Sequence, residues 1–350
     1  KSISLQDMKK RTYKLTLISA AILLVLASCA EHIYESIYDT QQRILDAWVD
    51  HNYGEDLQPT ESGMYYLNRE SSPNGRPVVD SVYVFVKYSV KYLDGVYKDS
   101  NIEEIAKQLG TYSPTNYYTH DIWLVNDHTL TEGLYEVLTG MKTGEKVTVA
   151  IPPSLLFSET ISYYSMFYYT TEGNDSEKVS VIYELEVLDF VPNINEYQLK
   201  QLREFRDQNY PGLESSETGF FFKKTKSVSF EESADSIADE ESLKIFYTRR
   251  LLDRFVFDSN IKDTAKKYRF YSPSNGYNAL EVKYKDSLGL MIENNELVEG
   301  FTRAVHQMQY GEEAIVFFYS NLGYGERGSG TIPSYTPLFF ELRAEEEEEN

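Results

Sequence analysis

The chain contains 350 residues, and its 34 basic residues are outnumbered by 55 acidic ones, which gives a net charge of −21. This balance disfavours nucleic-acid binding, which requires a basic surface, and attachment to anionic lipid by charge. A single cysteine excludes a framework of disulfides within the chain, and the length suits two domains.

The N-terminus has the pattern of a bacterial lipoprotein signal. A positive segment, Met8–Arg11, precedes an apolar run, Leu15–Ala27, that is shorter than the about 20 residues needed to span a membrane. The run ends in Leu26-Ala-Ser-Cys29, which resembles a lipobox. We therefore expect removal of residues 1–28 and lipidation of Cys29, which would anchor the protein to a bacterial membrane in the cell envelope, in the periplasm or at the cell surface. The alternative is a free thiol in an ordinary cleaved signal region.

Two segments of the chain recur at one spacing. Asp99–Lys107 recurs as Asp258–Lys266, and Tyr112–Asn116 recurs as Tyr271–Asn275, each shifted by 159 residues. A repeat of this length indicates a duplicated domain rather than a short-period solenoid.

Each copy is expected to begin with a helix and to continue mainly as strands. In the first copy, apolar residues share one helical face that ends before Gly54: Ile37, Ile44, Leu45, Trp48 and Val49. In the second copy, Asn195 is the expected cap of a helix with an apolar face made by Leu199, Leu202 and Phe205. Alternating residues then predict strands over Val82–Val90 and Leu243–Tyr247.

These features give the predicted domain boundaries. A first domain with its leading helix covers residues 29–191, a helical linker covers 192–212, and a second domain covers 213–344. Five glutamates, Glu345–Glu349, belong to an acidic tail over 345–350 that is expected to be solvated and disordered.

The end of the second copy predicts a small aromatic pocket. The segment Leu297–Met308 has apolar residues at helical spacing, and Glu313–Tyr319 has the composition of a buried strand. A loop with four glycines follows, and Leu338–Leu342 forms a further strand. This order would bring together a set of apolar and aromatic side chains with one phenolic hydroxyl: Phe301, Tyr324, Ile332 and Phe340.

Seven fragments of the second copy, over roughly Ser215 to Ala344, resemble the FKBP-type peptidyl-prolyl isomerases. In chain order they are Tyr247, Phe257-Asp258-Ser259, Leu297-Val298-Glu299-Gly300-Phe301, Gln307-Met308-Gln309-Tyr310-Gly311-Glu312, Gly323-Tyr324-Gly325-Glu326-Arg327-Gly328, Ile332-Pro333 and Leu338-Phe339-Phe340. The resemblance implies an α+β fold with two FKBP-like domains, each an antiparallel sheet curled over a short helix and each preceded by a helix.

The resemblance also implies roles for residues of the second copy. Tyr324 would donate a hydrogen bond to a substrate carbonyl, Asp258 would lie near the imide carbonyl, and Phe301 would form the floor where the family usually has Trp. Arg249 replaces a glycine of the family pattern, and one pocket aromatic expected within Ala279–Asn295 cannot be placed. Six further residues fall on substrate-binding positions: Tyr247, Phe257, Leu297, Val298, Ile332 and Phe340.

The first copy keeps only part of this set. Tyr88 and Asp99 remain, whereas Lys98 falls at the position of Phe257 unless a one-residue slip places Tyr97 there. Three more pocket positions differ: Thr131 replaces Val298, Leu134 replaces Phe301, and Phe157 replaces Tyr324. The glycine loop becomes a longer aromatic loop, Ser158–Tyr169, which would either contact an envelope protein partner or pack onto the protein itself.

The resemblance therefore implies a peptidyl-prolyl cis-trans isomerase whose second domain is active and whose first domain is inactive. Its substrates would be proline-containing polypeptides among secreted or envelope proteins, and the reaction needs no cofactor. No metal site is expected, because the five histidines have no ligand spacing. Two alternatives stay open: a non-catalytic peptide-binding or chaperone module, and a structural component of an envelope complex.

Overall fold

The computed structural model describes residues 35–156, 178–214, 218–228, 242–283, 291–292 and 295–346. The expected signal segment with Cys29, the residue Phe157 and the aromatic loop Ser158–Tyr169 lie outside these residues. Within the described ranges, no helix has both the length and the apolar character needed to cross a membrane.

The first sheet is antiparallel throughout. Its strands are β1 (Tyr65–Glu70), β2 (Tyr83–Tyr92), β3 (Tyr97–Ser100), β4 (Asp121–Leu124), β5 (Lys146–Ile151) and β6 (Val181–Val191). The strands follow the order β1-β5-β6-β2-β3, and β4 pairs with β2 beside β3.

The second sheet repeats this topology. Its strands are β7 (Phe220–Lys226), β8 (Ser242–Arg250), β9 (Val256–Ser259), β10 (Leu280–Lys283), β13 (Glu313–Phe318) and β14 (Leu338–Glu346), while β11 (Met291–Ile292) and β12 (Asn295–Glu296) form a separate hairpin. The order is β7-β13-β14-β8-β10, and β9 pairs with β8. The prediction of an α+β chain with two antiparallel sheets is confirmed.

In the described ranges, two long α-helices and four short ones accompany the sheets. They are α1 (Ile37–Tyr53), α2 (Glu103–Leu109), α3 (Glu132–Thr139), α4 (Ile194–Asn209), α5 (Lys262–Lys267) and α6 (Glu299–Val305). The short helices α3 and α6 pack into the concave faces of the first and second sheet, through Leu134 and Phe301 among others. Each sheet therefore curls over one short helix.

The long helices cover the outer faces of the sheets. In the first copy, Leu45 and Val49 of α1 pack against three sheet residues: Tyr65, Ala150 and Ile182. In the second copy, Leu202 and Phe205 of α4 pack against Phe221, Ile315, Phe317 and Phe339. Because both faces are covered, β13 is buried along nearly its whole length.

The strand predicted over Val82–Val90 is present as β2, but its burial does not alternate, because Val84, Phe85 and Val86 are all buried and outward-facing Phe85 packs against Ile194. Two other local predictions are wrong. Ile44 is 46% exposed and does not belong to the packed face of α1. The cap of α4 is Asn193, whose side-chain oxygen accepts hydrogen bonds from the backbone N–H groups of Asn195 and Glu196.

Two further boundaries differ from the sequence pattern. Helix α6 ends at Val305, so Met308 lies in the segment after the helix, where its side chain is still buried. Strand β14 continues through Glu346, and Glu345 pairs with Lys244 of β8. Glu346 pairs with Leu243 of the same strand, so the first two glutamates of the expected tail belong to the sheet, and the opposite charge of Lys244 favours this for Glu345.

Candidate active site

The floor of the candidate site is aromatic and almost fully covered. Phe301 of α6 and Phe340 of β14 are 1% and 0% exposed, and their ring centroids lie 5.7 Å apart in an edge-to-face arrangement. Helix α6 reaches this depth because Gly300 lets it approach β13: a Cβ atom there would lie 2.4 Å from the ring of Phe318. The glycine before Phe301 is therefore a packing requirement.

Tyr247 and Asp258 form the first polar contact at the floor. The Tyr247 ring lies edge-on to Phe301 at 6.4 Å, and its hydroxyl donates a hydrogen bond to Asp258 Oδ2 at 3.1 Å. Burial raises the pKa of Tyr247 to about 12, an effect that the positive charge of Arg249 opposes. The hydroxyl therefore stays protonated and holds the carboxylate of Asp258 in place.

A bulge in the pairing of β8 and β9 places Phe257 and Asp258. Asp258 pairs with Arg249 and Val256 pairs with Arg250, which leaves Phe257 as the extra residue between them. Phe257 is 5% exposed and packs in the same apolar cluster as Phe301. Asn260 fixes the end of β9, because its side chain bonds the backbone of β8 at Tyr247 N and Ile245 O.

Helix α4 anchors the loop that carries Tyr324. Gln198 donates to Ser320 Oγ at 3.0 Å and accepts from Ser320 N at 2.7 Å, and both residues are fully buried. Ser320 begins the short turn before Tyr324, and its carbonyl accepts a hydrogen bond from Gly325 N at 2.8 Å. The leading helix thus helps to position the loop hydroxyl.

Arg249 lies at the centre of the site. Its Nη1 donates to the Tyr324 hydroxyl at 3.2 Å and lies 3.4 Å from Asp258 Oδ2. Its guanidinium stacks over the Tyr247 ring, with Cζ 4.6 Å from the centroid, and faces Phe340 at 5.8 Å. The sequence showed Arg249 only as a replaced glycine, although alternation along β8 puts it on the same face as Tyr247.

The structure brings all nine predicted site residues of the second domain into one region. Phe257, Phe301, Ile332 and Phe340 are buried members of one apolar cluster. Tyr247, Leu297, Val298 and Tyr324 are partly buried and pack against it, and Asp258 joins through Tyr247. The aromatic sought within Ala279–Asn295 is not found among its described residues, where Leu280 and Val282 of β10 pack against the same cluster.

The first domain keeps the tyrosine–aspartate pair in different surroundings. Tyr88 donates to Asp99 Oδ2 at 2.9 Å, as Tyr247 does to Asp258. However, Trp123 of β4 is fully buried with its ring 5.2 Å from Tyr88, and Leu134 is fully buried as well. Trp123 carries no sign of this role in the sequence, because only the pairing of β4 with β2 brings it into this core.

The register of the first domain also settles the position equivalent to Phe257. Asp99 pairs with Val90, and Tyr97 pairs with Lys91, so Lys98 is the extra residue of the bulge. The alternative in which Tyr97 takes this place is therefore wrong. Val90, 1% exposed, stands where the second domain has Arg249.

A carboxyl group lies near the Tyr88–Asp99 pair. Burial raises the pKa of Asp121 to about 6, and the negative charge of Asp99 acts in the same direction. Hydrogen bonds from Asn101 and Trp123 oppose the rise. At the equivalent position of β10 the second domain has Leu280, which pairs with Ile245.

The first domain contacts the loop of the second domain that contains Ile332. Tyr117 donates through its hydroxyl to Asp253 Oδ2 at 2.5 Å and through its backbone to the Thr331 carbonyl at 3.1 Å. The rings of Tyr83 and Tyr335 meet at 5.2 Å. This loop is therefore held from both domains.

Comparisons with known proteins relate the second half of the chain to one family. Residues 234–344 match the model of a family described as FKBP-type peptidyl-prolyl cis-trans isomerase. A short-type peptidyl-prolyl cis-trans isomerase from Methanocaldococcus jannaschii is 41% identical over 71 residues. That alignment covers 20% of this chain and 45% of the relative, so it spans less than half of that protein.

Three solved structures are similar over larger parts of the chain. The three FKBP domains of wheat FKBP73 are 18% identical, with a TM-score of 0.26, over 82% of this chain and 95% of that one. A peptidyl-prolyl cis-trans isomerase from Pseudomonas syringae is 21% identical (TM-score 0.29; 43% and 93% covered), and FkpA from Escherichia coli is 17% identical (TM-score 0.31; 55% and 75% covered).

Proposed function

We propose that this chain, an FKBP-type protein through its second domain, catalyses the cis-trans isomerisation of X-Pro bonds in that domain and assists the folding of secreted or envelope proteins. The observation that carries the proposal is the convergence of Asp258, Tyr324 and Tyr247 on a floor made by Phe301 and Phe340. In the described residues, these groups come from separate strands, a helix and a loop, yet they meet at one place.

The apolar floor supplies the rate effect. Resonance sets a barrier of ~18–20 kcal/mol to rotation about the peptide bond and places negative charge on the carbonyl oxygen of the planar form. An environment of buried rings solvates that charge poorly, so it destabilises the planar ground state more than the twisted form. A reduction of about 4 kcal/mol would give nearly a thousandfold acceleration.

The polar groups position the peptide. The Tyr324 hydroxyl accepts a hydrogen bond from Arg249 and keeps its own hydrogen for a substrate carbonyl. Asp258 is fixed by Tyr247 beside the place where the imide carbonyl would lie. These groups hold the bond over the floor while it turns.

A second candidate function is peptide binding without turnover, and the position of Arg249 favours it. The Arg249 guanidinium lies against the site, with Cζ 5.8 Å from the centroid of the Phe340 ring. A positive charge stabilises the planar carbonyl and therefore works against the desolvation effect. A binder would show affinity for proline peptides with no acceleration of their isomerisation.

The first domain is proposed to be non-catalytic, because Trp123 and Leu134 fill its core at the position of the site. Its contacts through Tyr117 instead support the loop of the second domain.

The test of the proposed function uses the intact chain. Exchange between cis and trans forms of several Ala-Xaa-Pro-Phe peptides is measured by NMR with substoichiometric protein. We expect exchange well above the uncatalysed rate, which corresponds to ~10–100 s per event. If the peptides bind but their cis-trans exchange is no faster than without protein, the isomerase proposal is wrong and the peptide-binding function takes its place.

The envelope location is a separate proposal that rests on the sequence around Cys29. A lipid with two or more chains anchors stably, whereas one chain binds marginally. Cys29→Ala expressed in a bacterial host should move the protein from the membrane to the soluble envelope fraction. Unchanged membrane fractionation would show that the anchor lies elsewhere.

A further inference from the structure

Arg249 has hydrogen-bonding capacity that no described residue uses. A guanidinium carries five N–H donors. Nη1 donates to the Tyr324 hydroxyl and approaches Asp258, whereas no hydrogen bond from Nη2 or Nε to a described residue is found. Nε is buried, but the side chain as a whole is 22% exposed, so the terminal end of the guanidinium is the part that an acceptor brought by a ligand can reach.

The charge of Arg249 is only partly balanced. Its contact with Asp258 is a single approach of 3.4 Å, and Asp258 also accepts from Tyr247. The two terminal nitrogens of a guanidinium can bind a carboxylate through two parallel hydrogen bonds. A ligand carboxylate at Nη2 would accept from an unused donor and would balance the remaining positive charge.

The place of Arg249 identifies which residue of a peptide would carry that carboxylate. Under the proposed function, on which this inference rests, proline lies over Phe301 and Phe340 and the preceding carbonyl lies near Tyr324 and Asp258. Arg249 Nη1 is within 3.4 Å of both polar groups. The side chain of the residue before proline is therefore the one within reach of the guanidinium.

We propose that Arg249 is a specificity-determining residue that makes the second domain select peptides with glutamate or aspartate immediately before proline. The first domain has Val90 at the same position and cannot make this selection. The net charge of −21 repels acidic peptides at a distance, so the preference must come from direct contact inside the site.

The test compares Ala-Glu-Pro-Phe with its neutral isostere Ala-Gln-Pro-Phe on the intact chain in about 0.15 M salt, where long-range repulsion is largely screened. Affinity is measured by calorimetry and isomerisation by NMR exchange. We expect the parent to favour the glutamate peptide about tenfold. The ratio should fall to about one in Arg249→Ala, and Arg249→Lys, which keeps the charge but not the planar edge, should retain a reduced preference.

Arg343→Ala is the matched control. Arg343 also stacks on an aromatic ring, with Cζ 4.5 Å from the Phe246 centroid, and pairs with Glu345, but its side chain on β14 is about half exposed and lies outside the set of site residues. This variant should keep the preference of the parent. A glutamate-to-glutamine ratio near one in the parent, or an unchanged ratio in Arg249→Ala, would overturn the proposal.

The readouts separate this inference from the proposed function. If no peptide is isomerised faster, the proposed function fails, and the binding ratio still decides the role of Arg249. If both peptides are isomerised equally well, the function stands and the selection is refuted. If Arg249→Ala does not fold, the glutamate-to-glutamine affinity ratios of the parent and of Arg249→Lys decide whether Arg249 selects acidic peptides. Absence of binding for every peptide overturns the proposal.

Discussion

Tyr324 contributes one hydroxyl to the site, and this hydroxyl already accepts a hydrogen bond from Arg249. Tyr324→Phe keeps the ring and removes the donor to the substrate. We expect a loss of about 0.5–1.5 kcal/mol in transition-state stabilisation, up to about tenfold in kcat/KM by NMR exchange. Tyr319→Phe, which removes another partly buried hydroxyl before the loop, should leave kcat/KM unchanged. Equal losses in both variants would argue against a substrate contact by Tyr324.

Asp121 is expected to make the stability of the first domain depend on pH. Its folded-state pKa of about 6 is above the ordinary value near 3.9, so the folded state binds the proton more tightly than the unfolded state does. The contribution of this group therefore favours folding below about pH 4 and is lost as the pH rises towards 6. Asp121→Asn should remove that part of the pH dependence.

The measurement is urea unfolding of the parent and Asp121→Asn between pH 4 and pH 7. Other carboxyl groups titrate in the same range, so the informative quantity is the difference in unfolding free energy between the two proteins. That difference should shift in favour of the variant as the pH rises. A difference that does not change with pH would show that Asp121 is not desolvated in the folded protein.

At the scale of elements, the leading helix α4 supports both the outer face of the second sheet and the loop before Tyr324. Gln198→Leu would leave the N–H and hydroxyl of Ser320 buried without their partner, at about 1–3 kcal/mol for each group. We expect a lower urea midpoint for the second domain. Gln201→Leu on the same helix, where the side chain contacts the Tyr197 hydroxyl, should cost much less. Similar urea midpoints for the two variants would show that Gln198 does not anchor the loop before Tyr324.

The repeated segments predicted a duplicated domain, and helical spacing and strand composition predicted the meeting of Phe301 and Tyr324, because short stretches of sequence carry that information. The place of Asp258 beside them was implied only by the resemblance to a known family. The role of Arg249 required the strand register, which places it beside Asp258 and Phe340. Trp123 was missed for the same reason, since its burial depends on a partner strand far along the chain. The extension of β14 into Glu346 also depends on cross-strand partners, including Lys244 opposite Glu345.

At the scale of the whole molecule, the two copies form an internal comparison. Both sheets have the same strand order, and both keep a tyrosine hydroxyl bonded to an aspartate. They differ in what lies beside that pair, which is Trp123 in the first copy and Arg249 in the second. The backbone N–H of Tyr117 in the first domain donates to the Thr331 carbonyl in the second. Activity should therefore be measured on the intact chain, because separated halves would lose this contact.

The most direct measurement is therefore proline isomerisation by the intact chain carrying either Asp258→Asn or Asp99→Asn. The two changes are chemically identical, and each removes the charge of an aspartate held by a tyrosine hydroxyl. We predict that Asp258→Asn lowers kcat/KM about tenfold or more, from about 1.5–3 kcal/mol for interactions with a charged group, whereas Asp99→Asn leaves it unchanged. Equal activity of both variants with the parent, or a loss in Asp99→Asn alone, would contradict catalysis in the second domain.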